Sequence, residues 1–507
     1  MKKSCPFILI LLAIAIAYAN AINAPFLWDD EVMVVQNHFI HSLSNVTAIF
    51  THGAFGDAYS PSKFYRPIQI LSFATDYAIW GLNAWGFRLT SLGLFISAMS
   101  LLYLLCRRFF SVMISTVVVL FYAIHPMHIE SVTYISGRGD VLNVLFASVI
   151  LYVFFCKRPT VLTQLAVVLA FVLGVLSKEN IIALPFVLLL YHYLFKSKDY
   201  LIATLSTSFL ALSFALYRVL SAADASTLSW IASASISERI ATLPYILVTY
   251  LKLLVFPYPL HMEYHTVLSS VLNGYSLSLL IIVFVTVYLL RRFKPKVVIF
   301  GILFFCIMLA PVHQVFFPLA ATLREHWLAL PAIGLLFVIG GLLRYCEPVM
   351  SKRHVVVGSM LIILIFSGLT INRNADWRSA KGLYMHDLKL EPRSFVLANN
   401  LGVAYFRESD INKAEYYFKQ AIVNSPNHSY DVALNNYGVI LEQKGQYNEA
   451  ASFYIRSIRS GDYELAYTNL VKLALKTNTV VQFKELLITG YEKYPNNQYL
   501  QAIEQTF

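Results

Sequence analysis

The chain has 507 residues, of which 58% are hydrophobic and only 13% charged, with a mean hydropathy of +0.62. Soluble domains carry about a quarter charged residues, so this composition excludes a chain that is dissolved in water along its whole length. The formal net charge of +11 does not imply nucleic acid. The basic residues sit in short clusters between apolar runs, as membrane-topology signals do, and no nucleic-acid partner is expected.

In chain order, Lys2 and Lys3 precede an apolar run over 7–19. A cleavable signal peptide has this form, but the acidic pair Asp29 and Asp30 just beyond the run favours a retained signal anchor. Eleven apolar runs can cross a bilayer core: 7–23, 89–105, 112–124, 141–155, 161–176, 181–195, 201–220, 277–290, 297–309, 328–343 and 355–371. A core of about 30 Å needs roughly 20 helical residues. The basic clusters Lys2/Lys3, Arg107/Arg108, Lys157/Arg158, Lys196/Lys198, Arg291/Arg292/Lys294/Lys296 and Lys352/Arg353 should all be cytoplasmic. Strict alternation from a cytoplasmic N-terminus places every one of them inside, provided that 240–256 does not cross. That segment carries Pro244, Tyr245, Tyr250 and Lys252, which suits an interfacial or re-entrant helix. The odd number of spans leaves the C-terminus outside, with the long loop 24–87 on the same face.

Beyond Trp377 the composition becomes that of a soluble, charged helical array. Asn399, Asn400, Gly402 and Tyr405, followed by Ala414, Phe418 and Pro426, match the tetratricopeptide (TPR) template. Asn435, Asn436 and Gly438, with Ala450 and Tyr454, repeat it about 36 residues later, close to the usual period of about 34. Asn469 opens a degenerate third unit. The expected division is a transmembrane domain over 1–375 and an extracytoplasmic TPR domain over 376–507, with repeats near 395–428, 431–462 and 463–497. The expected fold class is all-α. A TPR array holds a peptide or partner; its plainer role is a stabilising cap.

The polar chemistry gathers in the outer loops. Asp29, Asp30 and Glu31 follow Trp28 directly, and adjacent carboxylates need a cation, a metal or a proton to coexist. One of them is suited to take a proton from a hydroxyl acceptor; the plainer reading is a solvated loop start. Tyr65 and Arg66 follow, and Arg offers a planar fork for phosphate. His125, His128, Glu130, Arg138 and Asp140 form a second cluster, in which an Arg138–Asp140 pair could simply order the loop. Lys178 and Glu179 link two spans almost without a loop, and could hold a phosphate or neutralise each other. Arg324, Glu325, His326 and His313 add further donors. His128 and Glu130 lack the spacing of a zinc protease, so a metal is left open. The five cysteines, Cys5, Cys106, Cys156, Cys306 and Cys346, show no disulfide or zinc spacing. Cations and carboxylates on one membrane face suit a lipid-phosphate donor whose tail lies between helices.

These motifs occur in a recognisable order: WDDE (28–31), YRP (65–67), HPxHxExVxYIxGRxD (125–140), SKEN (177–180), FPYPL (256–260), EHWLALPAIG (325–334) and Trp377 leading into the repeats. The chain resembles the transmembrane and TPR-containing O-mannosyltransferase-like family in its bacterial branch, and through it the GT-C class of glycosyltransferases. The resemblance covers essentially the whole chain. It implies a multi-pass protein of a bacterial inner membrane, with the TPR domain periplasmic. It also implies inverting transfer of mannose or a similar hexose from a polyprenyl-phosphate donor to a Ser/Thr hydroxyl of a polypeptide acceptor. Asp29 or Asp30 would be the base, with Asp29 favoured. Arg66, Arg138 and Lys178 would hold the leaving phosphate, and Glu31, Tyr65, His125, His128, Glu130, Asp140, Glu179, Glu325 and His326 would shape the acceptor side. Ala329 stands where that family usually has Tyr, and Glu263 where it often has Asp, which leaves the sugar open. Two other readings are a non-catalytic membrane-anchored TPR scaffold and a lipid-carrier transferase acting on a glycolipid. The intact acidic pair argues against the first, and the TPR tail against the second.

Overall fold

A computed structural model describes residues 5–56, 64–221, 229–293, 295–315, 318–319, 321–348, 351–495 and 497–504. Lys2, Lys3 and Lys294 of the basic clusters lie outside them. Every regular element among the described residues is a helix. The chain divides into two compact units: Met1–Ser226, Ala234–Met262 and Thr266–Ser379 form one, and Thr227–Ser233, Glu263–His265 and Ala380–Phe507 the other.

In the first unit, four helices are long and apolar enough to cross a membrane: Ala84–Phe109, Ile135–Cys156, Gly274–Phe293 and Lys352–Asp376. Val112–Ala123 and Pro126–Val132 make a fifth candidate as a pair bent by 51°. The bend falls at His125-Pro126, where proline removes a helical N–H and drives the preceding residue out of the helical region. Six shorter apolar helices account for the remaining apolar runs of the sequence. They are shortened where polar or proline-containing turns interrupt them, as at Lys178 and Pro311. The segment around 240–256 forms the helix Ile236–Val255, started by a capping box between Ser235 and Glu238 and containing Pro244.

Local signals explain the boundaries. Asn83 caps Ala84–Phe109, accepting from Trp85 N at 3.2 Å, and Arg107 and Arg108 occupy its last turn, where cations are favoured by the negative end of the helix dipole. Gly274–Phe293 has no buried residue, and Phe284 is 74% exposed. A helix apolar all round is stable only in an apolar solvent, so its exposed surface is one made for lipid.

The loop after the first span is not a slack tether. Met33, Val34, Ile40, Ile49 and Ala54 pack with Ile70, Phe73, Phe87 and Ile135 into a core of their own. Its acidic start is a π-helical turn, Glu31–Val35, entered through Trp28 in the left-handed region at φ 55°.

The second unit is a row of helical hairpins: Phe395–Arg407 with Ile411–Asn424, Asp431–Gln443 with Tyr447–Gly461, and Glu464–Thr477 with Lys484–Lys493. Glycine is required where paired helices touch. A Cβ on Gly402 would lie 2.7 Å from the Phe418 ring, and one on Gly438 2.6 Å from Tyr454. Ala450, Tyr454, Tyr467 and Leu470 then build a continuous core between the hairpins.

Candidate functional site

The charged residues of the outer loops separate into two sets. In the first set the groups are buried and their bonding capacity is taken up by the protein. Arg138 is fully buried. Its Nε donates to Ser91 Oγ at 3.0 Å, and Nη1 donates to Ser72 O and Oγ at 3.3 and 3.2 Å. Its Nη2 donates to Phe87 O at 2.6 Å and pairs with Asp76 Oδ2 at 2.5 Å. All three guanidinium nitrogens are thus engaged by protein acceptors. Phe73 lies under the guanidinium at 4.7 Å. The anticipated Arg138–Asp140 pair does not form: Asp76, on Pro67–Trp80, takes the arginine instead.

Asp30 belongs to the same set. Its Oδ2 accepts from Leu27 N at 3.0 Å, and its Oδ1 accepts from Ser136 N and Oγ at 2.7 and 2.6 Å. Burial pushes its carboxyl up to about 6, against the pull of these hydrogen bonds and of Arg88. Arg88 donates to Thr133 O at 2.9 Å, to Pro25 O at 2.6 Å and to Ala24 O. Together Asp30 and Arg88 fasten both sides of the acidic loop to the 133–136 turn. That turn needs Gly137, because a Cβ there would lie 1.9 Å from Glu130 O.

The second set is open at Asp29, Arg66 and Glu179, while its Lys178 and Asp140, 7% and 3% exposed, are buried behind them. Asp29, adjacent to Asp30, is half-buried, and its N–H donates to Tyr134 Oη at 3.1 Å. Arg66 forms a two-pronged bond to Glu179, Nε to Oε2 at 3.2 Å and Nη2 to Oε1 at 2.9 Å. Burial alone would lower the Arg66 guanidinium, but Glu179, with Asp140 and Asp29, holds it above its usual value. Lys178 Nζ donates to Asp140 Oδ2 at 2.7 Å, so Lys178 and Glu179 bond outward to different partners and not to each other. Burial pulls the Lys178 ammonium down, with Arg66 adding repulsion, while Asp140 opposes the shift. His326 is drawn well below its usual range by burial and then by Lys178, Arg324 and Arg66. It is therefore neutral at pH 7, and its Nδ1–H donates to Glu130 Oε2 at 2.6 Å. Mutual electrostatic influence thus ties Asp29, Arg66, Asp140, Lys178, Glu179, Arg324 and His326 into one cluster.

The remaining anticipated residues lie outside this cluster or support it. Glu31 begins the π-helical turn. Tyr65 is exposed and donates to Phe50 O at 2.9 Å. His125 is buried, accepting from Met127 N and facing Leu254 O. His128 is fully buried between the Tyr122 and Phe95 rings. Glu325 accepts from His261 N at 2.7 Å. Ala329 is buried, its carbonyl accepting from Tyr122 Oη at 2.5 Å. Glu263 belongs to the second unit, where it accepts from Ser394 Oγ at 2.8 Å. Sequence reasoning did not single out Arg88 or Asp76; the available signal was a charge at the end of an apolar run. Arg324, a further donor in the sequence, joins the cluster through His326. Among the described residues, no group of three or more His, Cys, Asp or Glu could hold a metal ion.

A cavity of about 350 Å³ lies between three apolar helices, lined by Ile182, Ala183, Phe186, Ala211, Leu212, Ala215, Ile307, Ala310 and Pro311. Two of these residues sit on the helical turn Glu179–Ala183, whose first residue grips Arg66.

Fold and site together define a polytopic helical membrane protein carrying a partly open acid–cation cluster. No family model matches the chain. Its curated relatives are protein O-mannosyl-transferases, in agreement with the resemblance read from the motifs. It is 24% identical over 464 residues to protein O-mannosyl-transferase TMTC3 of Mus musculus, covering 82% of this chain and 50% of that protein. It is also 24% identical over 444 residues to protein O-mannosyl-transferase F38B6.6 of Caenorhabditis elegans, covering 83% and 63%. Identity rises to 32% over 133 residues of tmtc2 of Xenopus laevis, covering 25% and 16%. The chain spans about half the length of the first of these relatives. Among solved structures, ArnT from Cupriavidus metallidurans bound to undecaprenyl phosphate aligns with a TM-score of 0.42 at 14% identity, covering 89% of this chain and 80% of that one.

Proposed function

We propose that the chain is a GT-C-type glycosyltransferase of a bacterial inner membrane, with eleven spans over 1–375 and a TPR domain over 376–507. It transfers mannose or a similar hexose from a polyprenyl-phosphate donor to a Ser/Thr hydroxyl of a polypeptide on the extracytoplasmic face. The observation that carries this reading is the position of Asp29: half-buried, beside Asp30 and within the field of Arg66. The names of the relatives favour the same chemistry.

In the proposed reaction Asp29 takes the proton of the acceptor hydroxyl, whose oxygen attacks the anomeric carbon. The bond from that carbon to the phosphate oxygen breaks, the phosphate leaves with the electron pair, and the configuration inverts. Arg66 and Lys178 stabilise the phosphate, and Glu179 and Asp140 keep both cations aligned before the donor arrives. The apolar cavity beginning at Ile182 and Ala183 suits the lipid tail. Arg138, anticipated at the phosphate, is assigned to positioning, since it is fully buried and each of its nitrogens already donates to the protein. Asp30 is likewise assigned to holding the loop that presents Asp29. The test is transfer from polyprenyl-phosphate mannose to a Ser/Thr peptide by the purified chain. Wild-type turnover with loss in Asp29→Asn supports the reading, and equal turnover in the two proteins rejects it.

A further inference from the structure

Asp29 is held by more than its own loop. Its carbonyl accepts from Val32 N at 3.1 Å and from Met33 N at 2.7 Å, where the π-helical turn opens. From 105 positions further along the chain comes Tyr134, whose Oη accepts from Asp29 N at 3.1 Å and whose O–H donates to the Asp29 carboxylate. One hydroxyl thus bonds the backbone and the side chain of the same residue, which fixes the carboxylate against its own main chain. Burial, together with the charges of Asp29 and Asp30, holds the phenol well above its usual range. The proton therefore stays on the oxygen, and Tyr134 is a fixed donor.

Tyr134 is braced in turn. Its buried ring lies 5.4 Å from that of Trp377, at 37°. Trp377 is fully buried and directly follows the helix Lys352–Asp376. Beside Tyr134, Thr133 Oγ1 donates to Asn374 Oδ1 at 2.7 Å, and Asn374 Nδ2 donates to Ala17 O at 3.0 Å. Asn20 Nδ2 donates to Ile371 O at 2.8 Å. The ends of the first and last apolar helices and the 133–134 turn are therefore one joined seam, and Tyr134 carries it to Asp29. A buried phenol is satisfied by any single partner. Here the partner is the carboxylate of the proposed base, and a donor on a carboxylate favours its anion, the form that can take a proton.

We propose that Tyr134, backed by Trp377, is the positioning residue that aims the Asp29 carboxylate and keeps it ionised for proton transfer. The inference rests on the reading of Asp29 as the base and names what orients it. A hydrophobic carbodiimide couples only to protonated carboxyls, so its attachment to Asp29 in the full chain in detergent, read by mass spectrometry, needs no turnover. Asp29→Asn identifies the labelled peptide. Tyr134→Phe removes the hydroxyl, keeps the ring and leaves Arg66 and Asp30, the charges beside Asp29, in place. At mildly acidic pH, Asp29 is expected to label about tenfold faster in this variant, the extra protonation of one pH unit, and as in wild type at low pH. Trp377→Phe, which keeps the hydroxyl and shrinks its brace, is expected to give a rise of about threefold. In transfer, Tyr134→Phe should lower kcat about tenfold at unchanged KM and move the acidic limb of the kcat profile to higher pH. Labelling equal to wild type in either variant, or wild-type kcat in Tyr134→Phe, overturns the proposal. If wild type makes no transfer, the enzyme reading fails, while the labelling difference still upholds or overturns the pairing of Tyr134 with Asp29.

Discussion

Arg138 and Arg66 each meet a carboxylate at short range, Asp76 at 2.5 Å and Glu179 at 2.9 Å. Arg138 and its partner are sealed, whereas the Arg66 and Glu179 side chains keep 14% and 34% of their surface. The same contrast separates Asp30, fully buried under three hydrogen bonds, from its neighbour Asp29. Residue type therefore says little about role here. A saturated buried charge fixes the backbone around it, because breaking one of its bonds leaves an uncompensated charge in the interior. A charge with residual surface can exchange one partner for a ligand. The sealed set forms the frame on which the open set is mounted.

Five substitutions and one pH series break or sharpen this division. The largest effect is expected at Asp29: Asp29→Asn should lower transfer by about 10²–10⁴-fold, the contribution of a general base, at unchanged yield and melting temperature. Asp30→Asn should instead reduce the yield of folded protein, because an amide NH₂ cannot replace the acceptors that serve Leu27 and Ser136. If Asp30→Asn is stable and inactive while Asp29→Asn is active, the two roles are reversed. Next, Arg138→Leu strands Asp76 and should cost about 3–5 kcal/mol, seen as a lower midpoint of thermal unfolding in detergent. Arg66→Leu should cost much less, since Glu179 retains contact with water. Comparable losses in the two variants would remove the distinction between frame and site.

A smaller effect is expected of Arg66→Lys, which keeps the charge but loses the two-pronged bond. The KM for the lipid-linked donor should rise about tenfold, with the melting temperature unchanged. Smallest is the pH dependence set by Asp30. Its folded carboxyl, at about 6, binds a proton more tightly than the ordinary carboxyl at 3.8. Stability should therefore decline as pH rises between those values and level off above them. A melting temperature that rises over the same window would mean that Asp30 is stabilised as the anion.

Much of this was legible in the residues. The apolar runs, the acidic pair, Arg66, Lys178 and the Asn-Asn repeats are local patterns, and each appears where its pattern put it: on a helix, a cap or a loop. Partner choice was not legible. An Arg138–Asp140 pair, two residues apart, is one option the sequence offers, but in the fold Arg138 reaches Asp76 across 62 positions of chain. Lys178 and Glu179, adjacent in sequence, diverge to Asp140 and Arg66. Arg88 has no distinctive local signature, because a single cation at the end of an apolar run looks like any interfacial anchor.

The sequence alone determined that the chain is helical and membrane-embedded, that its tail repeats, and which residue types border the outer loops. These follow from hydropathy and short-range periodicity, which every stretch of chain carries within itself. Only the tertiary structure decided which carboxylate is sealed and which is open, and which cation retains surface. Burial and ion pairing depend on residues distant in sequence that meet in space, and no local pattern encodes that meeting.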